Sequence, residues 1–311
     1  AQTRDGELLE VAANIGAVGE VAAAVELGAD GVGLLRTEFL FVDREDAPTE
    51  DEQRDVYEQI AVALDGRPLI VRTLDVGADK PLPFVHQARE ENPFLGLRGV
   101  RLGLAQPALL QTQLRAIVAL AGRFPVRVML PMVATLAEYR AARALVQAAR
   151  AEVSAPPIDV GIMVEVPSVA VGAERFAREA DFFSIGTNDL AQYTMAAERG
   201  NEAVAELLSG PAPPVLRLIA GVVTAARAHD RWVGVCGELA GDPAAAVLLA
   251  GLGVDELSMA APRIPAVKEA LRAVTLADAR RIATEALDLD DGASVLRLVA
   301  PLLAAPPTGD G

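Results

Sequence analysis

The sequence predicts an α/β fold, a (β/α)8 TIM barrel with extra C-terminal helices. Three observations carry that reading. Short, nearly continuous aliphatic runs alternate with amphipathic helical runs along most of the 311 residues. The aliphatic runs are apolar on both faces, as in a parallel sheet covered by helices. They number eight, and eight right-handed strand–helix units close into a barrel.

The elements follow in order. "EVAANIG" (Glu10–Gly16) and "GVGLLRT" (Gly31–Thr37) are the first two strands, with the helical run "EVAAAVELGA" between them. The connection from Phe39 to Arg67 contains "PTEDEQ", where Thr49 and Glu52 have capping-box spacing and open a helix. "PLIVRTLD" (Pro68–Asp75) is the third strand and "VRVMLPMV" (Val126–Val133) the fourth. Between them, "GADKPLPF" and "ENPFLGLRGVRL" hold too much Pro and Gly for plain helix. Long loops in compact domains are commonly functional. After the helix "LAEYRAARALVQAARAEV" come "VGIMVEVP" (Val160–Pro167), "FFSIGTND" (Phe182–Asp189), "WVGVCGE" (Trp232–Glu238) and "GVDELSM" (Gly253–Met259). Beyond Arg263 the pattern is helical and packs on the barrel. Residues 1–303 read as one domain without internal repeats, and "AAPPTGDG" (304–311) as a disordered tail.

Composition narrows the function. With 28 Lys+Arg against 43 Asp+Glu, the chain carries a net charge of −15. It repels nucleic acid and acidic membranes. The lone cysteine, Cys236, excludes an intrachain disulfide and fits a reducing cytosol. No apolar run is long enough to span a bilayer, and no signal segment opens the chain, so a cytoplasmic location is expected. The chain starts at Ala1 rather than Met, as a fragment of a longer protein does.

A (β/α)8 barrel builds its site at the carboxyl ends of its strands. Arg36 ends the second strand, and Arg72 and Asp75 the third. Glu165 ends the fifth, Asn188 and Asp189 the sixth, and Cys236 and Glu238 the seventh. Arg98 lies in the long third connection and Arg199 beyond the sixth strand. Taken singly, each has a structural reading: an ion pair for an arginine, a buried hydrogen bond for Glu165. Asn188 and Asp189 read as a helix cap, and Cys236 as a small buried hydrophobe. Taken together they point elsewhere. Two carboxylates from neighbouring strands, Glu165 and Asp189, suit Mg²⁺, which prefers oxygen and leaves positions for substrate. Guanidinium forks suit phosphate and carboxylate. The set implies a small, highly anionic ligand. Asp189 holds the metal, Asn188 hydrogen-bonds a ligand oxygen, and Arg199 neutralises ligand charge.

The blocks "GADGVGLLRTEFLF", "PTEDEQ", "VRTLDVGADKPLPF", "ENPFLGLRGVRL", "GIMVEVPS", "FFSIGTNDLAQYT…ERGN", "GVCGELAGDP" and "GVDELSM" resemble the phosphoenolpyruvate-utilising family, in order, over residues 1 to about 275. "RTEFLF" with "PTEDEQ", and "CGELAGDP", look most like the C-terminal domain of the Enzyme I branch, which starts the bacterial sugar phosphotransferase system. The resemblance implies a homodimeric barrel that binds Mg²⁺ through Glu165 and Asp189. Phosphoenolpyruvate would be held by Arg36, Arg72, Arg98 and Arg199 with Asn188. Cys236, Arg98 and Asn188 would be catalytic, with Cys236 the acid that protonates the enolate as pyruvate forms. A thiol beside a metal and arginines is expected to exchange protons near neutral pH. The family's acceptor histidine lies in a Gly-rich "SH" motif on a separate N-terminal domain, through which the carrier HPr is served. His86 ("FVHQ") and His229 ("RAHD") read as surface residues, so that domain is expected to be absent from this chain. The alternatives are the pyruvyl-handling domain of pyruvate phosphate dikinase or phosphoenolpyruvate synthase, a non-catalytic dimerising sensor, and an aldolase or lyase on a related barrel. Ala78 in "DVGADK" departs from a second Gly and alters loop stiffness only.

Overall fold

The computed structural model describes residues 1–78, 82–85 and 88–304. Eight strands pair in sequence order, all parallel, and the last closes on the first. They are β1 (Glu10–Ile15), β2 (Val32–Leu35), β3 (Leu69–Arg72), β4 (Val126–Leu130), β5 (Val160–Val164), β6 (Phe182–Ile185), β7 (Trp232–Val235) and β8 (Glu256–Ala260). All eight predicted strands form. Most end earlier than the sequence implies, because ladder pairing stops at the rim while the apolar run continues into the turn. Arg36, Asp75, Glu165, Asn188, Asp189 and Cys236 therefore stand just beyond the paired residues.

The helix Glu50–Ala63 opens with the expected capping box: Glu52 N–H donates to Thr49 Oγ1 (3.3 Å) and Thr49 N–H to Glu52 Oε2 (2.8 Å). A second box, Thr135 with Glu138, opens Leu136–Glu152. A 3-10 turn at Pro93–Leu95 leads to helices Val100–Ala105 and Pro107–Val118. Gly99 joins turn to helix at φ +57, where a Cβ would lie 2.8 Å from that of Met132. Only glycine takes that conformation in that space.

Two cores result. Inside the barrel, Leu34, Ile70, Met129, Met163, Phe182 and Cys236 fill the interior, and Trp232 stacks on Phe182 at 4.6 Å. A larger core lies between strands and helices. The extra C-terminal helices Ile264–Ala273, Leu276–Ala286 and Gly292–Ala304 follow β8. Ala270, Val274 and Ala279 pack with Val247, and Leu302 and Leu303 lie against them. Of the tail predicted at 304–311, Ala304 instead ends the last helix, and the other positions lie outside the described residues. Among the described residues no single helix is long and apolar enough to cross a membrane.

Candidate functional site

A cavity of about 470 Å³ opens at the carboxyl ends of the strands. All eight residues singled out in the sequence line it: Arg36, Arg72, Arg98, Glu165, Asn188, Asp189, Arg199 and Cys236. They come from the ends of β2, β3, β5, β6 and β7, from the β3–β4 connection and, for Arg199, from the β6–β7 connection beyond the helix Thr187–Met195.

Three buried carboxylates, Asp75, Glu165 and Asp189, place one oxygen each within 4.8 Å of one another. The sequence singled out two of them. It placed Asp75 at the end of the third strand, three residues from Arg72, and that position was its only signal. Glu165 Oε1 accepts from Met132 N–H at 2.6 Å. Met132 holds φ +58, a left-handed conformation that a non-glycine residue keeps only when its surroundings fix it. Burial, then repulsion from Asp75 and Asp189, pushes Glu165 up to about 8, with Arg72 opposing. Crowded carboxylates of this kind are relieved by a cation. Hard oxygen donors facing an open cavity fit Mg²⁺.

The arginines surround this cluster. Arg72 Nη2 lies 2.8 Å from Glu38 Oε1 and its Nη1 3.2 Å from Asp75 Oδ2. Arg98 grips Asp75 through Nε (3.2 Å) and Nη2 (2.9 Å), and its Nη2 is 3.7 Å from Asp189 Oδ2. Arg199 Nη2 lies 2.6 Å from Asp189 Oδ1. Buried Arg72 Nε and Arg98 Nη1 have no hydrogen-bond acceptor among the described residues. Exposed Arg36 has no side-chain partner there. Donors in this state suit the oxygens of a bound anion. Glu38, on the 3-10 turn Glu38–Leu40, was missed: nothing in "RTEF" shows that it meets Arg72, 34 positions away.

Asn188 Nδ2 donates to Glu238 Oε1 (3.1 Å), and Glu238 N–H donates to Asn188 Oδ1 (2.8 Å). The helix Thr187–Met195 starts after Gly186 without a side-chain cap, so Asn188 and Asp189 sit in its first turn. The capping alternative is thus set aside. Gly237 brings the β7 turn against β6: a Cβ there would stand 1.9 Å from Thr187 Oγ1. Asn14 Nδ2 donates to the Cys236 carbonyl at 2.8 Å, fixing the same turn. The expectation of a thiol exchanging protons near neutrality is corrected. Burial pushes Cys236 up to about 12, with Arg72 opposing the rise, and its Sγ donates to the Ile185 carbonyl at 3.7 Å. The thiol keeps its proton.

The family model described as the PEP-binding domain of PEP-utilising enzymes matches residues 1–276. The chain belongs to this family. Its relatives include a phosphoenolpyruvate-protein phosphotransferase from Haloferax volcanii, 50% identical over 96% of this chain and 54% of that protein. One of the same description from Haemophilus influenzae is 44% identical over 97% of this chain and 53% of that protein. A multiphosphoryl transfer protein from Xanthomonas campestris pv. campestris is 50% identical over 96% of this chain and 36% of that protein. The chain thus spans about half the length of the first type and about a third of the second. In fold alone it is similar to a citrate lyase from Burkholderia xenovorans, with TM-score 0.51 and 18% identity over 99% of this chain and 95% of that one.

Within this PEP-binding domain His229 is far from the site in topology. It lies in the turn leading into β7, at the opposite end of the barrel, 2.9 Å from Glu174. His86 lies outside the described residues.

Proposed function

We propose that this domain binds Mg²⁺ and phosphoenolpyruvate and donates the phosphoryl group to a histidine on a separate N-terminal domain. Pyruvate is released, as in the first step of a sugar phosphotransferase system. The observation that carries this reading is the convergence of three buried carboxylates and four arginines on one cavity. Glu165 and Asp189, beside Asp75, would hold the metal. Bound there, Mg²⁺ would supply neutralisation of the phosphate charge while the bridging P–O bond breaks.

The protein's own groups do the rest. Arg36, Arg72, Arg98 and Arg199 hold the phosphate and carboxylate, and the idle Arg72 Nε and Arg98 Nη1 find acceptors there. Asn188 turns from Glu238 to a ligand oxygen. As the phosphoryl group departs, the enolate carbon takes the Cys236 proton. A thiol held well above its ordinary value reaches that moment protonated. His229 is engaged with Glu174 on the far side of the barrel, which favours an acceptor elsewhere. Transfer from that acceptor to HPr, a homodimer and a cytoplasmic setting belong to the same proposal.

Calorimetric titration with phosphoenolpyruvate, with and without Mg²⁺, tests it against a Glu165→Ala variant. Binding should require both the metal and Glu165. Equal binding without either would defeat the reading.

A further inference from the structure

We infer that Arg199 is an internal competitor of the divalent cation: it occupies Asp189 until an anionic ligand draws it away, which ties entry of the metal to entry of the anion. This rests on the metal site proposed above. Three observations separate Arg199 from the other arginines. The first is position. Its Nη2 lies 2.6 Å from Asp189 Oδ1, so the guanidinium covers an oxygen that a cation would need.

The second is freedom. Arg72 is held by Glu38 and Asp75, and Arg98 by two contacts to Asp75, both largely buried. Among the described residues Arg199 has one side-chain contact, at Asp189, and its side chain is 41% exposed. Its backbone is nevertheless anchored, because Arg199 N–H donates to Gln192 Oε1 at 3.0 Å. Ala196, at φ +51, ends the helix Thr187–Met195 and turns the chain back toward the cavity. The side chain can therefore swing while its root stays fixed.

The third is room. A second cavity of about 490 Å³, walled by Glu198, Gly200, Leu208 and Pro211, adjoins the first, and Arg199 lines both. Charge gives the direction. A bare divalent ion approaching Asp189 meets Arg98 and Arg199. An ion arriving with a phosphate-bearing ligand brings the counter-charge that moves Arg199 off the carboxylate. Cation alone should bind weakly, and cation with anion strongly.

The test is Mn²⁺ binding to the full chain without substrate, read by electron paramagnetic resonance of the free ion. Wild type, Arg199→Gln, Arg36→Gln and Glu165→Gln are compared, each checked for folding by its thermal transition. Loss of one charge-assisted contact at a partly exposed site should make Arg199→Gln bind Mn²⁺ roughly tenfold more tightly than wild type. Arg36→Gln removes the same charge from the same cavity without touching Asp189, and should tighten binding much less. If Arg199→Gln fails to fold, Arg199→Lys, with a shorter reach and one charge retained, should give an intermediate gain. Unchanged or weaker binding on replacing Arg199, or an equal gain from Arg36→Gln, overturns the inference while Glu165-dependent Mn²⁺ binding upholds the site. Absence of Glu165-dependent binding in every protein removes the metal site and the inference together.

Discussion

Arg98 and Asp75 meet as fork on carboxylate, Nε to Oδ1 at 3.2 Å and Nη2 to Oδ2 at 2.9 Å, with side chains 8% and 3% exposed. Arg72 Nη1 reaches the same Oδ2 at 3.2 Å. Asp75 therefore balances two guanidinium groups at once.

Asp75→Ala leaves both groups short of their common acceptor in a buried site. Removing one partner of a buried pair costs about 3–5 kcal/mol. A urea titration should show a lower midpoint with unchanged slope. The variant also removes one of the charges that lift Glu165, so that carboxyl should titrate lower than in wild type. An undiminished midpoint would mean that Arg72 and Arg98 hold their positions without Asp75.

Arg36 should behave in the opposite way. It has no side-chain partner among the described residues and stands at the cavity edge. Arg36→Ala should change stability by less than about 0.5 kcal/mol. It should weaken phosphoenolpyruvate binding by roughly 1.5–3 kcal/mol, the range for a hydrogen bond to a charged group. Calorimetry beside thermal unfolding separates the two effects. A large loss of stability with intact binding would make Arg36 structural.

The contrast between these arginines shows what the sequence can convey. Strands were legible because eight aliphatic runs recur between helical patterns, and strand-end polar residues followed from the barrel geometry. The exact strand ends were not, since the runs "VRVMLPMV" and "VGIMVEVP" continue past the last paired residue. Glu38 stayed out of the predicted site because its role lies in its contact with Arg72, and Asp75 because its role lies in the fork it accepts from Arg98, its nearness to Arg72 in sequence being too little to place it. A residue's partner across 23 or 34 positions leaves no local pattern. Cys236 was placed correctly, and its burial was one of the two readings offered; what was misjudged was the balance, since burial outweighs the neighbouring cations in setting the thiol.

That burial has a direct readout. The rise from an ordinary 9.0 to about 12 lowers the thiolate fraction at neutral pH about a thousandfold. Only the thiolate attacks disulfide and alkylating reagents. The native chain should react with a thiol reagent far more slowly than the urea-unfolded chain, which should yield one thiol. Rapid native labelling, at a rate independent of denaturant, would show an accessible thiolate and weaken the case for Cys236 as acid.

The barrel interior holds a second displaced group, Glu256 on β8, and it should set part of the pH dependence of stability. It is 1% exposed, and its Oε1 has no hydrogen-bond partner among the described residues. Gly33 leaves the space it fills, since a Cβ there would stand 2.4 Å from Oε1. Burial, then Glu10, raises it from an ordinary 4.5 to about 8, while Arg127 opposes. Between those values the folded chain keeps a proton that the unfolded chain has lost. Stability contributed by neutral Glu256 is thus complete below pH 4.5 and is lost as pH rises toward about 8. The slope is about 1.4 kcal/mol per pH unit for one retained proton, or a few kcal/mol over the window. Glu165 adds a slope of the same sign, so the comparison must be with Glu256→Gln, which has no proton to lose at this position. That variant should match or fall slightly below wild type at about pH 5 and exceed it at about pH 9, measured by urea midpoints. Parallel midpoints at both values would place the Glu256 transition outside this window and assign the fall in stability to Glu165.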